Sequence, residues 1–255
     1  MLRELVGSMA LCFSMYSVLP MSKNHMEKGS MRYVFIFLPL VGLFIGAVEY
    51  LWYLTASTLS LSVLLYAALA TVLPTLISGG IHLDGLMDSG DAIASYGDTE
   101  KRLQILKDPH VGAFGVIYCV VYHLAVLGLY AQLFESGTGG AALLLLFAIS
   151  RAVSGLITIH WASAKSSGLK YLFGEGAQKT GVTVVLLAEL AALFGLAAVL
   201  CGWTAIIMAA ALALFYGWYY RFTKKNFCGL TGDLVGFSLC LAELILLALG
   251  VVGIY

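Results

Sequence analysis

The sequence predicts an all-α membrane protein: a polytopic bundle of about seven transmembrane helices plus an N-terminal interfacial segment. Three observations lead there. Charged residues make up 11% of the 255 positions and hydrophobic ones 61%, whereas a soluble domain is about 25% charged. A soluble chain of this size still needs a wetted surface, so the deficit points to lipid as the solvent. Seven apolar runs near 34–54, 59–77, 116–134, 141–161, 182–200, 203–220 and 234–253 match the roughly 20 residues that cross a bilayer as helix. The basic residues, finally, fall on one side of that layout.

Taken in chain order, the stretch Leu5–Leu19 is moderately apolar and ends at Pro20 without a small-residue cleavage pattern. It is expected to lie in the interface or insert shallowly, and no cleavable signal is expected. Arg3, Lys23, Lys28 and Arg32 precede the first run. Lys101, Arg102 and Lys107 lie between the second and third, Lys165, Lys170 and Lys179 after the fourth, and Arg221, Lys224 and Lys225 after the sixth. The alternate loops near 55–58, 135–140 and 201–202 hold no Lys or Arg. Basic loops stay cytoplasmic, so the N-terminus is expected inside and the C-terminus outside. The site would then lie on the cytoplasmic face of a bacterial or archaeal cytoplasmic membrane. No linker or repeat interrupts the pattern, and residues 1–255 read as one membrane domain.

Four ionisable residues remain within the runs: Glu49, Arg151, Glu189 and Glu243. Such groups face a bundle interior or a cavity. Arg151 is expected inside the protein, either paired with Glu189 or Glu243 or turned to an anionic substrate. Glu49, near the outer end of its run, is expected to reach the headgroups. The five cysteines form no CxxC pair and read as free thiols. A net charge of zero argues against nucleic acid as a partner; membrane lipid is the expected one.

Chemistry concentrates in three stretches. The first runs from Ser78 to Ala92 and holds His82, Asp84, Asp88 and Asp91 among Gly79, Gly80, Gly85 and Gly90. On a helix the three carboxylates would share one face and repel. A bound divalent cation removes that repulsion, and hard oxygen ligands suit Mg²⁺. The alternative is a solvated acidic helix end. The glycines would allow close approach of a ligand. The second stretch, Lys101 to Gly115, should form one or two helical turns stopped by Pro109, with Gly112 and Gly115 giving a flexible turn. Lys107 and Asp108 are its functional candidates; Lys101 and Arg102 read as ordinary cytoplasmic charge. The third stretch, Cys228 to Gly236, enters the last run. Thr231 can cap that helix, the amides at Gly232 can hold phosphate, and Asp233 is a further metal ligand or a charge favourable at a helix start.

Together these stretches resemble the cobalamin synthase family, adenosylcobinamide-GDP ribazoletransferase. The residues that carry the resemblance are Gly79-Gly80-Ile81-His82-Leu83-Asp84-Gly85-Leu86 with Asp88 and Asp91, then Leu106-Lys107-Asp108 with Gly112 and Gly115, then Thr231-Gly232-Asp233 with Gly236. Ser150-Arg151 and the segment Phe13 to Pro20 also look like the family. Phe237 departs from it, standing where a small residue is usual. The resemblance implies joining of adenosylcobinamide-GDP to alpha-ribazole or its 5'-phosphate. The ribazole hydroxyl would attack the phosphate that bears cobinamide, and GMP would leave. It implies Mg²⁺ as cofactor, with Asp84, Asp88, Asp91 and Asp233 as metal ligands and His82, Asp84 and Lys107 as catalytic residues. Lys107, Asp108, Arg151, Thr231 and Gly232 would bind substrate phosphate. His82 is the leading general base, with a hydrogen bond that orients an aspartate as the other reading. A homo-oligomer is left open.

Rival readings are a CDP-alcohol phosphotransferase, which wants Ala-Arg where this chain has Asp88-Ser89, and a membrane prenyltransferase, which carries two aspartate motifs. A transporter would place its signature at mid-membrane, not at one face.

Overall fold

A computed structural model describes residues 2–137, 140–164 and 178–252, apart from the side chains of 141 and 142. Lys165 and Lys170, assigned above to a cytoplasmic loop, lie outside the described residues. The described chain forms α1 (Leu2–Tyr16), α2 (Lys23–Met26), a 3₁₀ helix (Met31–Phe37), α3 (Leu38–Thr58), α4 (Val63–Ser78), α5 (Ile81–Ala94), α6 (Thr99–Ile105), α7 (Ala113–Ser136), α8 (Gly140–His160), α9 (Lys179–Cys201), α10 (Thr204–Phe227) and α11 (Gly232–Val252). Among the described residues six helical stretches are long and apolar enough to cross a membrane alone, and the bent pair α4 and α5 brings the number to seven if it counts as one span. The chain is therefore a polytopic helical membrane protein. The second predicted run is the shortened one: α4 has 16 residues, about 24 Å of helix.

Close packing in lipid rests on small residues, because apolar burial alone does not favour one helix neighbour over another. Gly42 and Gly46, one turn apart on α3, lie directly on the α8 main chain at Phe147 and Leu143. A side chain at either would drive α3 away from α8. α1 docks on the segment before α3 in the same manner, Gly7 against Gly29, and the Ser30 amide donates to Ser8 Oγ at 3.0 Å.

Two expectations about buried charge resolve differently. Arg151, on α8, is 1% exposed and pairs with Glu243 of α11 at 2.5 Å; Glu189 is not its partner. Glu49 does not reach the headgroups: it is fully buried on the packed face of α3, with Tyr130 of α7 and Tyr66 of α4 beside it. Its place in the run misled because α3 packs against the bundle along its whole length. Phe237, the unusual residue, is buried between Tyr118 and Tyr219, so aromatic neighbours absorb its size.

One end of the bundle collects the three motif-bearing stretches. The 161–164 and 228–231 segments join through a bridge between Ser163 and Leu230. Arg102 of α6 donates to Asn226 Oδ1 at the end of α10, at 2.5 Å. α5 packs along the start of α11 and against α7.

Candidate active site

The site is organised by an elbow. α4 ends at Gly79 (φ +67°), which is followed by Gly80 (φ +78°). These left-handed angles are strained for residues with a Cβ. The chain turns through 97° into α5, and the Val18 amide fastens the segment after α1 to Ile77 O at 2.8 Å. Gly79, Gly80, Ile81, Leu83, Asp84 and Met87 line an open hollow of about 460 Å³. Asp84 is exposed there.

Gly85 and Gly90 admit neighbouring helices, where their place in the motif suggests approach of a ligand. A Cβ on Gly85 would lie 2.6 Å from Asp233 O, and one on Gly90 would lie 2.8 Å from the Tyr118 ring. These glycines let α5 lie on α11 and α7. Gly236 completes the first contact from the other side, 3.1 Å from His82 O by the same measure. This packing sets the Asp233 main chain against the α5 helix at Gly85.

Asp91 has a role the spacing did not reveal. Its Oδ2 accepts the Gly112 amide at 2.8 Å and its Oδ1 the Gly115 amide at 2.9 Å. Gly112 precedes α7 and Gly115 lies in its first turn, so the carboxylate satisfies two otherwise free amides of that helix and sits well at its positive end. The turn is therefore held, not flexible: a Cβ on either glycine would strike the Asp91 carboxylate.

Lys107 and Asp108 are exposed on the loop before α7. Asp108 Oδ1 accepts the His110 amide at 3.0 Å and meets its ring Nδ1 at 2.7 Å, and the amide above all holds this carboxyl below its ordinary range. Among the described residues Lys107 forms no ion pair with Asp84 or Asp91. Thr231 caps α11 as expected, its Oγ1 accepting the Leu234 amide at 3.2 Å. Thr231 is buried and Gly232 exposed.

His82 and Arg151 face inward. His82 is 8% exposed, its ring stacked on Tyr16 of α1 with centroids 6.0 Å apart, and its carbonyl accepts the Cys240 thiol at 3.5 Å. Tyr16, not among the candidates from sequence, is thus a neighbour of the signature histidine. The only signal was its place inside the Phe13 to Pro20 segment.

No three His, Cys, Asp or Glu side chains among the described residues converge as a ready metal cage. Mg²⁺ commonly uses one or two carboxylates and completes its shell with phosphates and water. Asp84 and Asp88, one turn apart on α5, suit that smaller demand. Asp91 has both oxygens occupied by amides.

Fold and site thus define a polytopic membrane protein with an acidic, glycine-bent motif at one end of its bundle. Residues 8–251 match the cobalamin-5-phosphate synthase family, and the chain belongs to that family. It is 40% identical over 240 residues to an adenosylcobinamide-GDP ribazoletransferase of Lachnoclostridium phytofermentans, covering 94% of this chain and 91% of the relative. It is 30% identical to the protein of that name from Clostridium botulinum, with 96% of each covered, and 37% identical to the one from Desulfitobacterium hafniense, with 82% of each covered. No solved structure matches.

Proposed function

We infer that this chain is an adenosylcobinamide-GDP ribazoletransferase, joining adenosylcobinamide-GDP to alpha-ribazole or its 5'-phosphate in assembly of the cobalamin nucleotide loop. The observation that carries the reading is near-full-length similarity to proteins of that name, with the signature stretch forming the bent α4–α5 elbow around an open hollow. In the reaction a ribazole hydroxyl forms the new P–O bond at the cobinamide-bearing phosphorus. The bond from that phosphorus to the bridging oxygen breaks, GMP leaves with the electron pair, and the hydroxyl proton passes to water in the open hollow.

Asp84 and Asp88 would hold Mg²⁺, with Asp233 adjacent; bound there, the ion would neutralise diphosphate charge. Phosphoryl transfer passes through a loose transition state and depends on alignment and charge stabilisation more than on covalent help. Lys107, exposed on its loop, would close on the leaving GMP phosphate. The exposed amide at Gly232, at the start of α11, would receive a phosphate oxygen. Asp91 holds α7 in place behind them. Retention of basic loops supports a cytoplasmic site, with the N-terminus inside and the C-terminus outside.

The test is GMP release from adenosylcobinamide-GDP by protein purified in lipid nanodiscs, across a Mg²⁺ titration. Release that depends on alpha-ribazole or its 5'-phosphate is expected. Transfer from a CDP-alcohol, with no release from the corrinoid substrate, would overturn the reading. Reporter fusions test the orientation: both ends on one side of the membrane would refute it.

A further inference from the structure

Behind the elbow lies a second and narrower space. Its volume is about 30 Å³, and its walls include His82, Thr75, Ser78, Tyr122, Arg151 and Glu243. Leu83 borders both spaces, so the first turn of α5 divides them. No substrate fits in 30 Å³, but two or three waters do. Two polar atoms buried in the residues around it have no protein partner: Nε2 of His82 and Nε of Arg151. Arg151 is otherwise committed, with NH1 donating to Phe147 O at 3.1 Å and to Glu243 at 2.5 Å. Buried polar atoms without partners are costly, and a polar cavity of this size is where bridging water satisfies them.

We propose that ordered water in this cavity links Arg151 to His82, and that Arg151 and Glu243 are positioning residues acting through the His82 ring on the first turn of α5. The proposed direction of the hydrogen bonds runs from the guanidinium to the ring. Arg151 Nε–H can only donate, so the water beside it accepts that bond, and in the arrangement proposed it donates its own proton to the ring. Nε2 of His82 then accepts, which places the ring proton on Nδ1. Glu243 fixes the guanidinium through its NH1. The ring, held between this water and Tyr16, fixes the turn that carries Asp84 two residues later. The assignment rests on the transferase reading for its kinetic consequence but not for its geometry. It also gives Arg151 a place other than direct contact with substrate phosphate.

The chain has five histidines, so ¹⁵N-histidine labelling in lipid nanodiscs, with His82→Gln to assign the resonance, reads the His82 tautomer directly. The expected spectrum has Nδ1 protonated and Nε2 unprotonated. Protonated Nε2 in the wild-type protein would overturn the proposal without any variant. Removing both charges together, Arg151→Met with Glu243→Leu, avoids stranding one buried ion. In that folded variant the tautomer preference should disappear and kcat should fall about tenfold, as for loss of an orienting partner, with KM unchanged. An unchanged His82 spectrum together with wild-type turnover would assign the pair to packing alone. A wild-type protein with the expected spectrum but no ribazole transfer would instead count against the transferase reading and leave the water link standing.

Discussion

The two ends of α5 carry the same residue type and do different work. At the first turn Asp84 lies on an open hollow beside two glycines that bend the chain. Two turns on, Asp91 is folded against the next helix and accepts both of its oxygens' bonds from main-chain amides. A carboxylate with exposed lone pairs can take a cation or orient a substrate; one saturated by amides stabilises a helix start. Equal spacing on a helix therefore establishes a shared face, not a shared function.

Changes that confront the packed end should have the largest effect. Gly115→Ala places a methyl group 2.6 Å from Asp91 Oδ2 and 2.9 Å from Met87 O. Neither can withdraw without breaking the α5–α7 contact, so thermal unfolding in nanodiscs should show a loss of about 1–3 kcal/mol, with activity lost alongside. Unchanged stability would mean that Asp91 does not hold α7. Gly85→Ala sharpens the contrast next. Its new methyl meets Asp233 O at 2.6 Å and would part α5 from α11, and kcat is expected to drop more than the melting temperature. Thr231→Ala removes the cap on Leu234 and should cost about 1 kcal/mol, whereas Thr231→Ser should cost little. If the serine variant is as unstable as the alanine one, the hydroxyl is not the cap.

The smallest effect belongs to Asp108. Its carboxyl is held below the ordinary range by the His110 amide and ring. The sign is that of a depressed acid: its contribution is present above its unfolded pKa and lost as pH falls through the lowered folded value. Because it is exposed, Asp108→Asn should leave the melting temperature nearly unchanged at neutral pH, with any difference from wild type shrinking further in acid. A large loss at neutral pH would place the residue in a contact the structure does not contain.

The helical membrane architecture was legible because lipid imposes a length and a composition on each crossing, and because the basic residues sort to alternate loops. The pairing of Arg151 was narrowed to two carboxylates by cost alone, and only packing chose Glu243. Glu49 was misplaced because a position along a helix does not say which way the side chain faces. The glycines of the signature were recognisable as unusual, yet their purposes differ: Gly79 and Gly80 turn the chain, while Gly85 and Gly90 admit neighbouring helices. The Asp91 contacts span 21 and 24 residues, and the Tyr16 stack on His82 joins α1 to α5. Neither is encoded in any local pattern.

The most direct measurement is a side-by-side determination of turnover and thermal unfolding for Asp84→Asn and Asp91→Asn in nanodiscs, at matched Mg²⁺. Asp84→Asn should lose about 100-fold or more in kcat, the scale of removing a group that stabilises transition-state charge, and keep the wild-type melting temperature. Asp91→Asn should lower the melting temperature, with activity falling only as the folded fraction falls. Near-normal turnover in a folded Asp84→Asn protein, or an Asp91→Asn protein of wild-type stability with its turnover abolished, would contradict the division of labour along α5.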